Sequence, residues 1–135
     1  MSSVIKINYI GDLRTESTHI DSNDKIITDA PKDNNGLGRK FSPTDLLASA
    51  LGSCLLTIMG IVAKRHSIDM VGSTIEIKKE MQEKPRRISK ITANIFINGK
   101  VDKKEMDLLE RAATHCPVHA SLNPDIKILI KFVQC

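Results

Sequence analysis

Apolar and polar residues nearly alternate over positions 4–10, with Ile5, Ile7 and Tyr9 on one side. Gly11-Asp12 then punctuates the chain before a second run over 13–20. Two short alternating runs about a tight turn predict a β-hairpin. Ser22-Asn23-Asp24 supplies another turn ahead of a short strand at 25–28. The N-terminal part therefore reads as strands over 4–28. The segment 29–41, with Pro31, Asn34, Asn35, Gly36 and Gly38, reads as a loop.

At Ser42 the pattern changes. Ser42 can cap free helix N–H groups, Pro43 suits the first helical position, and Asp45 faces the positive end of the helix dipole. The helix is expected over 42–65. Between Leu46 and Ala63 it carries 18 residues without a charge, the lower edge of a transmembrane length. Ser49, Gly52, Ser53, Thr57 and Gly60 interrupt its apolar character, and the remainder of the chain is that of a soluble protein, so no membrane span is expected. A helix apolar nearly all round must be buried nearly all round, which is difficult within one chain of 135 residues. Ser49, Ser53 and Thr57 recur at four-residue spacing. They form a small-residue face that would admit the same helix of a second subunit, so the expected state is an obligate homodimer.

Beyond a turn near Ser67, the segments 73–81 and 88–98 alternate as half-buried strands, Ile91, Ala93, Ile95 and Ile97 against Lys90, Thr92, Asn94 and Phe96. The basic loop Lys84-Pro85-Arg86-Arg87 joins them. Asp102 can cap a helix over 102–116 with Met106, Leu109 and Ala113 on one face, ending where Pro117 cannot continue it. A last strand is expected at 125–133. The fold class is α+β, in one domain spanning 1–135, a length that buries a real core.

Composition narrows the function. Hydrophobic residues make up 41% of the chain and aromatics only 3%, leaving little for stacking nucleobases. The 20 Lys and Arg are interspersed with 16 Asp and Glu, giving +4 without a basic stripe, so no nucleic-acid partner is expected. Three cysteines and an N-terminus without an apolar signal segment point to the reducing cytoplasm. A disulfide there is more often transient than structural. Cys135, the last residue, reads as incidental.

Cys54 and Cys116, 62 residues apart, are the residues with most chemistry to offer. Cys54 sits inside the long helix, where a free cysteine commonly packs as a small hydrophobe. Gly52 and Ser53 leave space beside it, and Cys116 stands in the punctuated sequence Thr114-His115-Cys116-Pro117-Val118-His119. Together they are the minimum for two-electron thiol redox chemistry. His115, Cys116 and His119, with Cys54 as a fourth donor, are the alternative, a zinc site. Adjacent His115 and Cys116 point apart on a helix and no C-x-x-C knuckle is present, so redox ranks above metal, and neither a metal nor a cofactor is expected. A reactive Cys54 needs a nearby cation to hold it as thiolate. Arg14, Arg39, Arg65 and His66 are the candidates.

These motifs carry a resemblance. The stretch from Asp29-Ala30-Pro31 to Gly38, the run Ser42-Pro43-Thr44-Asp45-Leu46-Leu47-Ala48-Ser49-Ala50-Leu51-Gly52-Ser53-Cys54 and the segment Cys116-Pro117-Val118-His119-Ala120-Ser121-Leu122 resemble the OsmC-like branch of the OsmC/Ohr family of thiol-dependent hydroperoxide reductases. The resemblance implies an intertwined homodimer, with two central helices packed between subunits and wrapped by antiparallel sheets. It also implies that Cys54 is the peroxidatic thiol and Cys116 the resolving thiol, with Arg14 holding Cys54 as thiolate. The implied substrates are organic hydroperoxides, and the implied reductant is a dithiol of thioredoxin-like or lipoyl-protein type. An oxidant sensor or a dimeric binder of hydrophobic ligands is the alternative within the same family. Characterised peroxidases of the family carry a glutamate just after the helix-starting proline. This chain has Thr44 there and Asp45 one place on.

Overall fold

The computed structural model describes residues 1–134; Cys135 lies outside them. The chain falls into two compact units that divide between Leu46 and Leu47.

The first unit is a three-stranded antiparallel meander of β1 (Ile5–Gly11), β2 (Arg14–His19) and β3 (Asp24–Asp29). Asp12 and Leu13 form the first turn, both at positive φ, the handedness that matches the twist of the flanking strands. In register, Ile7 lies beside Ser17 and Ser17 beside Ile26. That face stays open, with Ile7 62% exposed and Ile5, Tyr9 and Ile26 exposed as well. The loop after β3 holds one short 3-10 turn at Lys32–Asn34 and folds back tightly. Gly38 N–H donates to Ala30 O at 3.1 Å, and a Cβ at Gly36 would lie 1.8 Å from that same oxygen, so only glycine fits.

Helix α1 runs Pro43–Arg65. Ser42 and Asp45 cap it reciprocally: Asp45 N–H donates to Ser42 Oγ at 3.1 Å, and Ser42 N–H to Asp45 Oδ2 at 3.0 Å. By length and composition α1 could cross a membrane, and only a third of its most apolar window is buried within the chain. The buried side is Ala48, Leu51, Gly52, Leu55, Met59 and Ala63. Ala50, Ser53, Thr57 and Ile61 are exposed.

In the second unit, β4 (Thr74–Gln82) pairs antiparallel with β5 (Arg87–Ile97), and β5 pairs with β6 (Lys127–Gln134). The alternation read in β5 is one of burial: Ile88, Ile91, Ala93, Ile95 and Ile97 join Leu51, Leu55 and Met59 of α1 in one aliphatic core. The β5–β6 pairing is parallel, which corrects the expectation of wholly antiparallel sheets. Residues 98–126 form the long helical crossover that a parallel neighbour requires.

That crossover corrects a second expectation, a continuous helix over 102–116. Helix α2 occupies Lys103–Ala113, opened by a capping box between Asp102 and Glu105. A separate helix, α3, covers Pro117–Ser121. Pro117 disfavours helical geometry at the residue before it. Cys116 accordingly is extended, at φ −70 and ψ 115, and Thr114 closes α2 with its hydroxyl on Arg111 O at 2.7 Å.

Candidate functional site

The break between α2 and α3 makes Cys116 the N-cap of α3, where its sulfur accepts the backbone N–H of His119 at 3.4 Å. The residue is 1% exposed. Cys54, twelve residues into α1, is half-buried beside Leu51 and Leu55, and both thiols are free. The fold brings them near each other: the Cys54 side chain is one of the neighbours that act on the Cys116 thiol. Burial first, and the neighbouring Cys54 side chain second, push the Cys116 thiol above the ordinary 9.0, while the N–H groups of His119 and Val118 pull the other way. The pair is therefore asymmetric. Cys54 is the more open sulfur, and Cys116 is a buried one that holds its proton.

The candidate cations separate on geometry. Arg65 and His66 lie three helical turns beyond Cys54, about 16 Å along the axis at 1.5 Å per residue, and are exposed. Arg39 is committed within the first unit. Its Nε donates to Asp29 Oδ2 at 2.7 Å, its backbone N–H to the same oxygen at 3.0 Å, and its Nη2 to Asp12 Oδ2 at 3.2 Å. Asp29 is completely buried. The Arg39 hydrogen bond is the largest of the effects that hold its carboxyl below the usual value, and Arg14 adds a smaller pull. Arg14 stands at the start of β2, in register with Asp29, and its Nε is buried without a hydrogen-bond partner. Asp45 is occupied in the α1 cap, and Thr44 Oγ1 lies 3.2 Å from Ser42 Oγ.

The zinc alternative finds no geometry: among the described residues, no group of three or more His, Cys, Asp or Glu side chains could hold a metal ion. His115 is exposed. His119 lines a cavity with Cys116, a placement the sequence did not announce because it depends on the unforeseen break before α3. The Asp29–Arg39 pair was also missed. Its only local sign is an acid at a strand end followed by an arginine in the next loop.

Two free cysteines, one within the long helix and one capping a short helix, thus stand near each other on an α+β scaffold. The chain belongs to the OsmC-like protein family, which matches residues 35–131. It is 45% identical to a candidate osmotic-stress-induced and detoxification response protein of Psychrobacter arcticus 273-4, over 100% of this chain and 97% of that one, with a TM-score of 0.90. It shares the fold of the organic hydroperoxide resistance protein OsmC of Legionella pneumophila, at 16% identity over 98% and 96% of the two chains and a TM-score of 0.77. The organic hydroperoxide resistance protein OhrB of Bacillus subtilis is similar at 16% identity, 98% of each chain and a TM-score of 0.71. No curated protein matches the chain.

Proposed function

We propose that this protein is a thiol peroxidase that reduces organic hydroperoxides to alcohols. The observation that carries the reading is a pair of free, unequal thiols that the fold brings near each other, Cys54 half-buried and Cys116 buried and acted on by Cys54. The Cys54 thiolate attacks the distal oxygen of ROOH. The O–O bond breaks, the departing alkoxide takes a proton to become ROH, and Cys54 is left as sulfenic acid. The Cys116 thiol then displaces water from that sulfur, giving the Cys54–Cys116 disulfide, which a dithiol reduces. A hydroperoxide with an alkyl tail gains about 0.8 kcal/mol for each buried CH₂, an advantage hydrogen peroxide lacks.

Arg14 is the cation proposed to stabilise the Cys54 thiolate, supported by its unpartnered Nε and by the commitment of Arg39 to Asp29 and Asp12. The protein is proposed to act as a cytoplasmic homodimer, its central helices packed together and wrapped by sheets of both chains. The open helix side at Ala50, Ser53, Thr57 and Ile61 and the open apolar face of β1–β3 support the pairing. The free thiols suit a reducing compartment.

One observation favours a second reading. The chain carries Thr44 at the place where family peroxidases carry glutamate. A protein without that glutamate would be oxidised once per encounter as a sensor, without fast turnover. Steady-state reduction of cumene hydroperoxide and hydrogen peroxide, with dihydrolipoamide as donor, decides between them. The enzyme turns over with preference for the organic peroxide, loses all turnover in Cys54→Ser, and is oxidised by peroxide more slowly in Arg14→Ala. Stoichiometric oxidation without cycling supports the sensor. Thiols untouched by peroxide refute both.

A further inference from the structure

We propose that the reductant attacks the Cys116 sulfur of the disulfide, entering through a cavity that Cys116 lines and Cys54 does not, with His119 as the proton carrier for the exchange. The inference rests on the thiol-peroxidase reading and concerns its second half-reaction. The cavity, about 690 Å³, lies wholly within the second unit, and its walls include Thr114, Cys116, His119, Leu122, Ile126 and Ile128. Its aliphatic side, formed by Leu122, Ile126 and Ile128, suits a small dithiol on a flexible carbon arm. A broad protein surface could not bring its sulfur to a residue 1% exposed.

The direction of exchange follows from which thiolate leaves. Attack on a disulfide is fastest when the departing sulfur is the better anion. Attack at Cys54 would expel the Cys116 thiolate into a buried place that disfavours it, whereas attack at Cys116 expels the half-buried Cys54. In the first step the incoming thiol gives its proton to the His119 imidazole. Its sulfur bonds to Cys116 Sγ, the S–S bond breaks, and the electron pair departs on Cys54 Sγ. In the second step the reductant's other thiol releases its proton to solvent, from which the Cys54 thiolate takes one, and closes on its own bound sulfur. The reductant leaves as a cyclic disulfide, and Cys116 leaves with a proton returned by His119. The reductant loses two electrons and two hydrogens, and the protein gains them as two thiols. The His119 N–H on Cys116 Sγ steadies the departing sulfur.

Diamide closes the disulfide without any peroxide, so the test does not depend on peroxidase activity. The oxidised wild type is pulsed with 2-mercaptoethanol, quenched with excess iodoacetamide and mapped by peptide mass spectrometry. The expected product carries mercaptoethanol on Cys116 and the acetamide on Cys54; the reverse assignment overturns the proposal. Ala120→Trp, at an exposed position on the cavity wall, should lower kcat/KM for dihydrolipoamide about tenfold. The rate at which cumene hydroperoxide oxidises the reduced protein should stay unchanged. Equal losses in both halves overturn the separate entry. His119→Gln should slow reduction of the disulfide about a hundredfold while its formation by diamide keeps its rate, and an unchanged reduction rate removes the proton-carrier role. Failure of diamide to join Cys54 and Cys116 would instead refute the two-thiol reading on which the inference stands.

Discussion

Gly52 sets the depth at which α1 lies on its sheet, and Gly52→Val tests that directly. A Cβ at this position would sit 3.0 Å from Ile77 Cγ1, 3.3 Å from Ile77 Cδ1 and 3.4 Å from Ile75 Cγ2, inside the 3.5–4.0 Å at which carbon atoms pack best. Valine adds two methyls beyond that Cβ. Its better helix propensity returns a few tenths of a kcal/mol, against about 1–3 kcal/mol for an over-packed core. The net loss is about 1–2.5 kcal/mol. With an unfolding entropy of about 2.1 cal/mol/K per residue, this lowers the melting temperature by about 3–9 °C. The helix must also retreat by roughly half an ångström to restore carbon contact distances, and Cys54, two residues on, moves with it. Calorimetry of the reduced protein and stopped-flow loss of thiols after diamide read the two effects together. A valine variant that melts within about 1 °C of the wild type and closes its disulfide at the same rate would refute the argument that close helix–sheet approach positions the sulfur.

The other predictions concern ionisation and assembly. In Cys54→Ser, alkylation of Cys116 by iodoacetamide should have its pH midpoint above 9.0, because burial is the first cause of its upward shift; a midpoint at or below 9.0 counts against that environment. Asp29 is depressed below 3.8 by Arg39, so near that pH the folded state binds fewer protons than the unfolded one. The stability it contributes is complete above 3.8 and disappears as the pH falls through the lower folded value. Urea midpoints of wild type and Asp29→Asn should therefore differ at neutral pH and converge in acid; a constant gap would show that the carboxylate charge is not what matters. Sedimentation should give a particle of two 14.9 kDa chains, and Thr57→Arg, on the open side of α1, should yield monomer or insoluble protein. A wild type that sediments as monomer ends the dimer reading.

The elements with strong local signals were the ones legible in the sequence. The alternation of β5 and the Ser42-Pro43-Thr44-Asp45 start of α1 each rest on residues that lie together in the chain, and the structure shows burial and a reciprocal cap at those places. The break before Cys116 was half legible. Pro117 was read as the end of one helix, whereas its effect on the preceding residue also founds the next. The parallel partner of β5 was not legible, because strand order is decided by the sheet and not by any one strand. Arg39 was open to several roles until Asp29, ten residues earlier, was seen to hold it. The meeting of Cys54 with Cys116 was anticipated only through motif order, since no spacing rule spans 62 residues.

That separation has a bearing on the protein's survival as well as its chemistry. A covalent bond between Cys54 and Cys116 would tie off a loop of 62 residues, and a loop of that length removes about 4 kcal/mol of freedom from the unfolded chain. Oxidant would then act as a stabilising ligand, and the oxidised form would open less often to proteases than the reduced one. The supply of reductant would set the protein's lifetime in the cell. Abundance would rise when peroxide outruns reducing power, with no change in synthesis.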